Sequence, residues 1–163
     1  MLAVGLGVVL SGVMLQALLS DGQRTQAFAQ RLRQRTEQRR TLMLMKADIL
    51  QSAAVLENPD PGLSPCPLAG RHPVLQIQSR VGVITYSLGP PPSSIWRRQV
   101  LMRCGPGYSL DGSFSASSFM QNRVVIDNLP KMSEGPFLAS ADRQTGSLQL
   151  RLINSRLFVE LPE

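Results

Sequence analysis

One histidine, two cysteines and a scatter of single acids are what this chain offers for covalent or proton-transfer chemistry. A Ser-His-Asp or Cys-His arrangement would have to run through His72. That residue lies between Arg71 and Pro73 with no carboxylate close in sequence, so catalysis through it is not expected. The acidic residues form neither a general acid–base pair nor a metal cluster, and one histidine is too few for a usual structural zinc set. There is no GxxxxGKS/T phosphate loop and no GxGxxG turn, and Gly5 and Gly7 sit in an apolar run with no strand before it. The residues therefore read as those of a non-enzyme, with no catalytic residues, no metal, no cofactor and no small-molecule substrate.

Cys66 and Cys104 are not spaced as a redox or metal motif. In a reducing compartment they are two thiols; in an exported chain their even count points to a disulfide. Closing a loop of that length is worth about 4 kcal/mol on the chain-entropy estimate, which matters for a core with few aromatics.

Charge is placed unevenly. Between Asp21 and Asp48 stand seven basic residues (Arg24, Arg31, Arg33, Arg35, Arg39, Arg40 and Lys46) against three acids, so +4 of the net +6 lies there. Such a stripe can meet DNA, anionic lipid or an acidic partner, or it can be a solvated helix face. Phe28 is the sole aromatic nearby, so base stacking is not expected. A second candidate for an anionic partner is Trp96 with Arg97 and Arg98; the plainer reading of Trp96 is sheet packing.

The chain has 163 residues, of which 43% are hydrophobic and 5% aromatic. That suits one modest domain plus one extra element. Met1 to Leu19 (MLAVGLGVVLSGVMLQALL) carries no charged side chain. As a helix it covers about 28 Å, close to the thickness of a bilayer core. A cleaved secretory signal is the competing reading, but no basic residue precedes the run and Ser20-Asp21-Gly22-Gln23 is a poor cleavage site. From Ser20 to Leu56 there is no proline, and Gln, Arg, Ala, Leu and Met favour helix. Leu42, Met45, Ile49, Leu50, Ala53 and Leu56 make an apolar face. A continuous helix to Leu56 would be about 80 Å long, and Asn58-Pro59-Asp60-Pro61-Gly62 would end it.

Beyond that break the pattern predicts strands at Val74–Gln78, Val81–Leu88, Ile95–Arg103 and Arg123–Leu129. A final hairpin (Leu148–Ile153 and Arg156–Leu161) turns at Asn154-Ser155, with Leu148, Leu150 and Leu152 facing the core. The expected fold class is α+β: a long N-terminal helix, membrane-spanning then amphipathic, packed against a small antiparallel sheet head. Its segments are 1–19, the apolar half of the helix; 20–56, the amphipathic half; and 57–163, the strand-rich head.

An apolar N-terminal helix running into an amphipathic one, capped by a strand domain with a cysteine pair, resembles the type IV pilin and pseudopilin family. Leu2-Ala3-Val4-Gly5-Leu6-Gly7-Val8-Val9-Leu10 with Gly12-Val13 is similar to the body of the prepilin N-terminal motif. The basic leader, glycine and glutamate that open that motif do not stand in this sequence; either a start placed too late or a degenerate copy would account for this. Basic residues after a span ordinarily mark the cytoplasmic side, and a missing basic leader would lift that conflict. Val83-Ile84-Thr85-Tyr86-Ser87-Leu88 followed by Ile95-Trp96-Arg97-Arg98 to Arg103 resembles the minor pilins of the PilW and J-type pseudopilin group, in which a tyrosine-bearing strand turns into one ending in arginine.

The resemblance implies a minor structural subunit of a type IV pilus or of a pseudopilus serving type II secretion. Its partners would be other pilin subunits, the inner membrane before assembly, and DNA in a DNA-binding variant. The implied location is the bacterial inner membrane, single pass with the head in the periplasm, and then the filament. Leu2, Val4, Leu6, Val9, Val13 and Leu18 would pack in the filament core. The rival reading is a signal-anchored periplasmic scaffold or binding protein that does not polymerise.

Overall fold

In a computed structural model of the chain, the backbone is described for residues 2–115, 119–142 and 146–161, and side chains from residue 25 onward within those ranges. The chain divides into two compact units, Met1–Thr36 and Glu37–Glu163. Among the described residues there is one α-helix, α1 (Leu2–Leu50). In the first unit, the side chains of residues 25–36 are exposed, Phe28 and Leu32 among them.

The second unit is built mainly of strands. β1 (Ser52–Glu57), β2 (His72–Ser79), β3 (Gly82–Gly89), β4 (Gln99–Gly105) and β5 (Gln121–Leu129) form one antiparallel sheet in chain order. β6 (Phe137–Asp142), β7 (Ser147–Leu152) and β8 (Ser155–Glu160) form a second.

The register fixes what each face of the larger sheet carries. Leu75 pairs with Tyr86 and Tyr86 with Arg103; Gln76 pairs with Thr85 and Thr85 with Cys104. Cross-strand partners share a face and neighbours along a strand alternate. Leu75, Ile77, Ile84, Tyr86 and Leu88 therefore lie on the helix face and join Leu42, Met45 and Ile49 of α1 in one core. Leu148, Leu150 and Leu152 of the smaller sheet complete that core, each fully buried as the alternation of β7 requires. The opposite face of the large sheet carries Gln76, Thr85, Ser87, Met102 and Cys104, all buried. The loop between β1 and β2 covers part of it, with Gln76 Nε2 donating to the Leu63 carbonyl at 2.9 Å. On the helix face Gly105 permits tight packing: a Cβ would stand 2.8 Å from Ile84 Cγ1.

The expected fold class is corrected on two points. The described residues are mostly β, in two antiparallel sheets of five and three strands, where one small sheet packed on a dominant helix was expected. The helix also stops at Leu50, not Leu56. Its last turn is closed by Ser52 Oγ on the Ile49 carbonyl (2.6 Å) and by Gln51 Nε2 on the Ala47 carbonyl (3.4 Å). Residues 52–57 then pair with β2, from Ser52↔Ser79 to Glu57↔Leu75. The backbone partners offered by that edge outweigh the helical preference of Ala-Ala-Val-Leu. Leu50 and Leu56, expected on the apolar face, are consequently exposed.

The membrane-spanning expectation is also corrected. Among the described residues no helix is long and apolar enough to cross a membrane. The physical reason lies in residues 25–50, where Arg31, Arg33, Arg35, Glu37, Arg39, Arg40, Lys46 and Asp48 punctuate the helix. A single-pass inner-membrane location with a periplasmic head is accordingly not supported. The apolar run 1–19 lies outside the residues whose side chains are described.

Five of the six expected strands fall within about two residues of their places. The strand expected from Ile95 begins only at Gln99. Trp96 N–H donates to the Ser93 carbonyl, Arg97 N–H to Asp127 Oδ2, and Arg98 has a φ of 56°. A left-handed residue with its neighbours tied into local bonds ends a strand. The final hairpin turns at Ile153-Asn154, one residue early, because Ile153 N–H is held by the Pro136 carbonyl at 2.8 Å. β1 and β6 were not expected from the sequence.

Candidate functional site

The densest polar constellation sits where α1 meets the large sheet. Asp48 follows Met45 and precedes Ile49 on the buried side of the helix, so its carboxylate is carried into the core and is fully buried. An ionised group there requires a counter-charge and a full set of hydrogen bonds.

The sheet supplies both. Arg103 Nε donates to Oδ2 at 2.7 Å and its Nη2 to Oδ1 at 2.9 Å, a bidentate pair. Tyr86 donates its hydroxyl to Oδ2 at 2.6 Å, and the Tyr108 hydroxyl donates to Oδ1. Four donors thus occupy the roughly four lone-pair sites of one carboxylate. Arg103 Nη1 is satisfied by the Pro106 carbonyl at 2.9 Å. The Tyr108 ring lies 5.2 Å from the guanidinium carbon and packs on Phe114, whose backbone bridges to Tyr108.

The electrostatics follow from burial and from that single negative charge. Burial, then the charge and hydrogen bond of Asp48, push the Tyr86 phenol well above its ordinary pKa. Burial and the Asp48 hydrogen bond push Tyr108 up as well. For Arg103, burial works against the cation, but the hydrogen bonds and charge of Asp48 outweigh it and hold the guanidinium above its usual value. A carboxylate with every lone pair engaged has none left for a substrate proton. The constellation is a fastening between helix and sheet.

The fastening is doubled on the other face of β4. Cys104, next along the strand, forms a disulfide with Cys66, with a Cα–Cα distance of 6.0 Å. The expected pairing of the two cysteines is present. Beside the Asp48 cluster a groove of about 460 Å³ lies between α1 and β5, lined by Thr41, Leu44, Tyr108, Arg123 and Val125, with Glu37 and Arg40 also on its wall.

The other expected site residues are distributed rather than gathered. Arg31, Arg33 and Arg35 are exposed in the first unit. Arg31 and Arg35 share a side of the helix, whereas Arg33, two residues from each, does not face with them. Arg39 and Arg40 are exposed in the second unit. Arg97 and Arg98 are exposed in the turn before β4, and Trp96 is half-buried beside them. His72 opens β2 and is exposed. Leu2, Val4, Leu6, Val9, Val13 and Leu18 lie outside the residues whose side chains are described. Among the described residues no group of three His, Cys, Asp or Glu side chains could hold a metal ion.

Nothing in the local sequence pattern singles out Asp48 as a site residue. The available signal was a lone carboxylate on the apolar stripe of Leu42, Met45 and Ile49, which demands a buried cation somewhere in the strands. Compared with known proteins, the chain matches no family model, no curated protein and no solved structure.

Proposed function

We propose that this chain is a minor structural subunit of a filament of the type IV pilus or type II secretion pseudopilus kind. The observation that carries the reading is the convergence of Tyr86 and Arg103 on Asp48. Tyr86 and Arg103 belong to the two strands whose wording resembles the minor pilins, and they hold a helix residue. A filament subunit that engages its neighbours through a helix must pass load from that helix to its head without unfolding. A bidentate buried ion pair, two tyrosine hydrogen bonds and a disulfide on the same strand meet that need. The surface assigned to neighbouring subunits is the uncharged run 1–19, through Leu2, Val4, Leu6, Val9, Val13 and Leu18.

The test is a photo-crosslinking amino acid placed at Val9 in the cell that encodes the chain. Adducts with other filament subunits are expected. Adducts only with proteins outside any filament would contradict the reading.

A subunit that also binds DNA is the second reading, favoured by the exposure of Arg39 and Arg40. It requires binding that weakens steeply with salt and with the removal of those charges.

A further inference from the structure

The face of the large sheet turned away from α1 carries a second cavity, of about 750 Å³. Pro67, Pro91, Trp96 and Met102 give it apolar walls and Arg71 is its buried cation, while Arg123, whose pairing with Arg103 sets it on the helix side, lines only its edge. Arg123 is exposed; Arg71 is only 6% exposed. The Arg71 stem is seated on Gly89, where a Cβ would stand 2.9 Å from Arg71 Cα and 3.0 Å from its Cγ. Gly89 has a φ of 154°, so a side chain there would be strained as well as obstructed. Nη2 donates to the Pro67 carbonyl at 3.0 Å. Nε is shielded from solvent and has no acceptor.

The guanidinium is thus built into place and left short of partners. Among the described residues the ion pair formed is Arg103 with Asp48, and no carboxylate stands against Arg71. Arginine does not escape burial by losing its proton in a protein. A buried cation without a counter-ion is costly, and burial lowers the Arg71 pKa from its ordinary value. An anion entering the cavity would relieve that cost. One buried cation suits one negative charge, and the tryptophan and proline walls suit an apolar body attached to it.

We propose that this cavity binds a small organic monocarboxylate, the carboxylate against Arg71 and an apolar, preferably aromatic, body against Trp96 and the prolines. The site is independent of the filament reading. Arg97 and Arg98, which the sequence places beside Trp96, are not among its lining residues.

Trp96 is the sole tryptophan in the chain, so its fluorescence reports on this cavity directly. The full chain is titrated with benzoate at constant ionic strength, and in parallel with benzyl alcohol and with inorganic phosphate. Saturable change with benzoate is expected, with benzyl alcohol and phosphate each weaker by about tenfold or more. Arg71→Gln should weaken benzoate by a similar factor, whereas Arg97→Gln should leave it unchanged. A benzoate response that does not saturate, or that benzyl alcohol or phosphate matches, would overturn the proposal, as would full benzoate affinity in Arg71→Gln. Should Arg71→Gln not fold, the ligand comparison on the unaltered chain still decides, joined by a benzoate-dependent shift of the Arg71 Nε–H resonance.

Discussion

Arg103 and Cys104 are consecutive on β4 and fasten the two faces of one sheet to two different elements. Arg103 reaches Asp48 of α1 through its Nε at 2.7 Å, and Cys104 is bonded to Cys66 in the loop between β1 and β2. Strand alternation alone puts adjacent residues on opposite faces. One strand therefore carries both the ionic and the covalent attachment of the head.

Asp48→Ala leaves Arg103 buried with its counter-charge gone and should cost about 3–5 kcal/mol. Replacing both partners by apolar residues, Asp48→Leu with Arg103→Met, should cost less than Asp48→Ala alone. Urea denaturation of the single and double variants measures this. Equal or greater loss in the double variant would mean that the pair does more than neutralise itself.

The chain has two tyrosines, and both donate to Asp48. Their folded pKa values are raised, so the protonated form is the one that folding favours. The associated stability is fully present below the unfolded tyrosine pKa of about 10. It is lost progressively as pH climbs above that value toward the folded ones. Absorbance at 295 nm should show no tyrosinate in the folded protein at pH 10.5, and ionisation should coincide with unfolding at higher pH. Tyrosinate forming in the folded chain near pH 10 would contradict the buried arrangement.

Cys66→Ala with Cys104→Ala should lower stability by about 4 kcal/mol on the loop-entropy estimate for a closed loop of this size. The sequence separation that sets the loop is 38 residues. The denaturation midpoint in oxidised and reduced protein gives the same comparison without mutation.

Met45 and Leu50 were both expected on the apolar helix face, yet Met45 is fully buried and Leu50 is 56% exposed. Met45→Ala should cost about 2–5 kcal/mol, while Leu50→Ala should stay within about 0.5 kcal/mol. Similar losses at both positions would place the end of the helix elsewhere.

These contrasts mark what the sequence made legible. Period-two alternation was clear in Leu148, Leu150 and Leu152, and all three are buried as expected. The cysteine pairing was legible from count and context. Residues 52–57 were not, because Ala-Ala-Val-Leu reads as helix until the β2 edge beside it is known. Ile95 to Arg98 reads as strand until Asp127 captures the Arg97 amide. The Asp48 cluster depends on residues 38 to 60 positions apart along the chain, which local pattern does not connect.

The proposed role as a filament subunit is tested most directly by mass spectrometry of surface filaments sheared from the cells that encode the chain. Peptides of this chain should be present at low copy relative to the main subunit, and deletion of its gene should reduce the number of filaments. Filaments free of the chain, assembling at normal number in the deletion strain, would contradict the account.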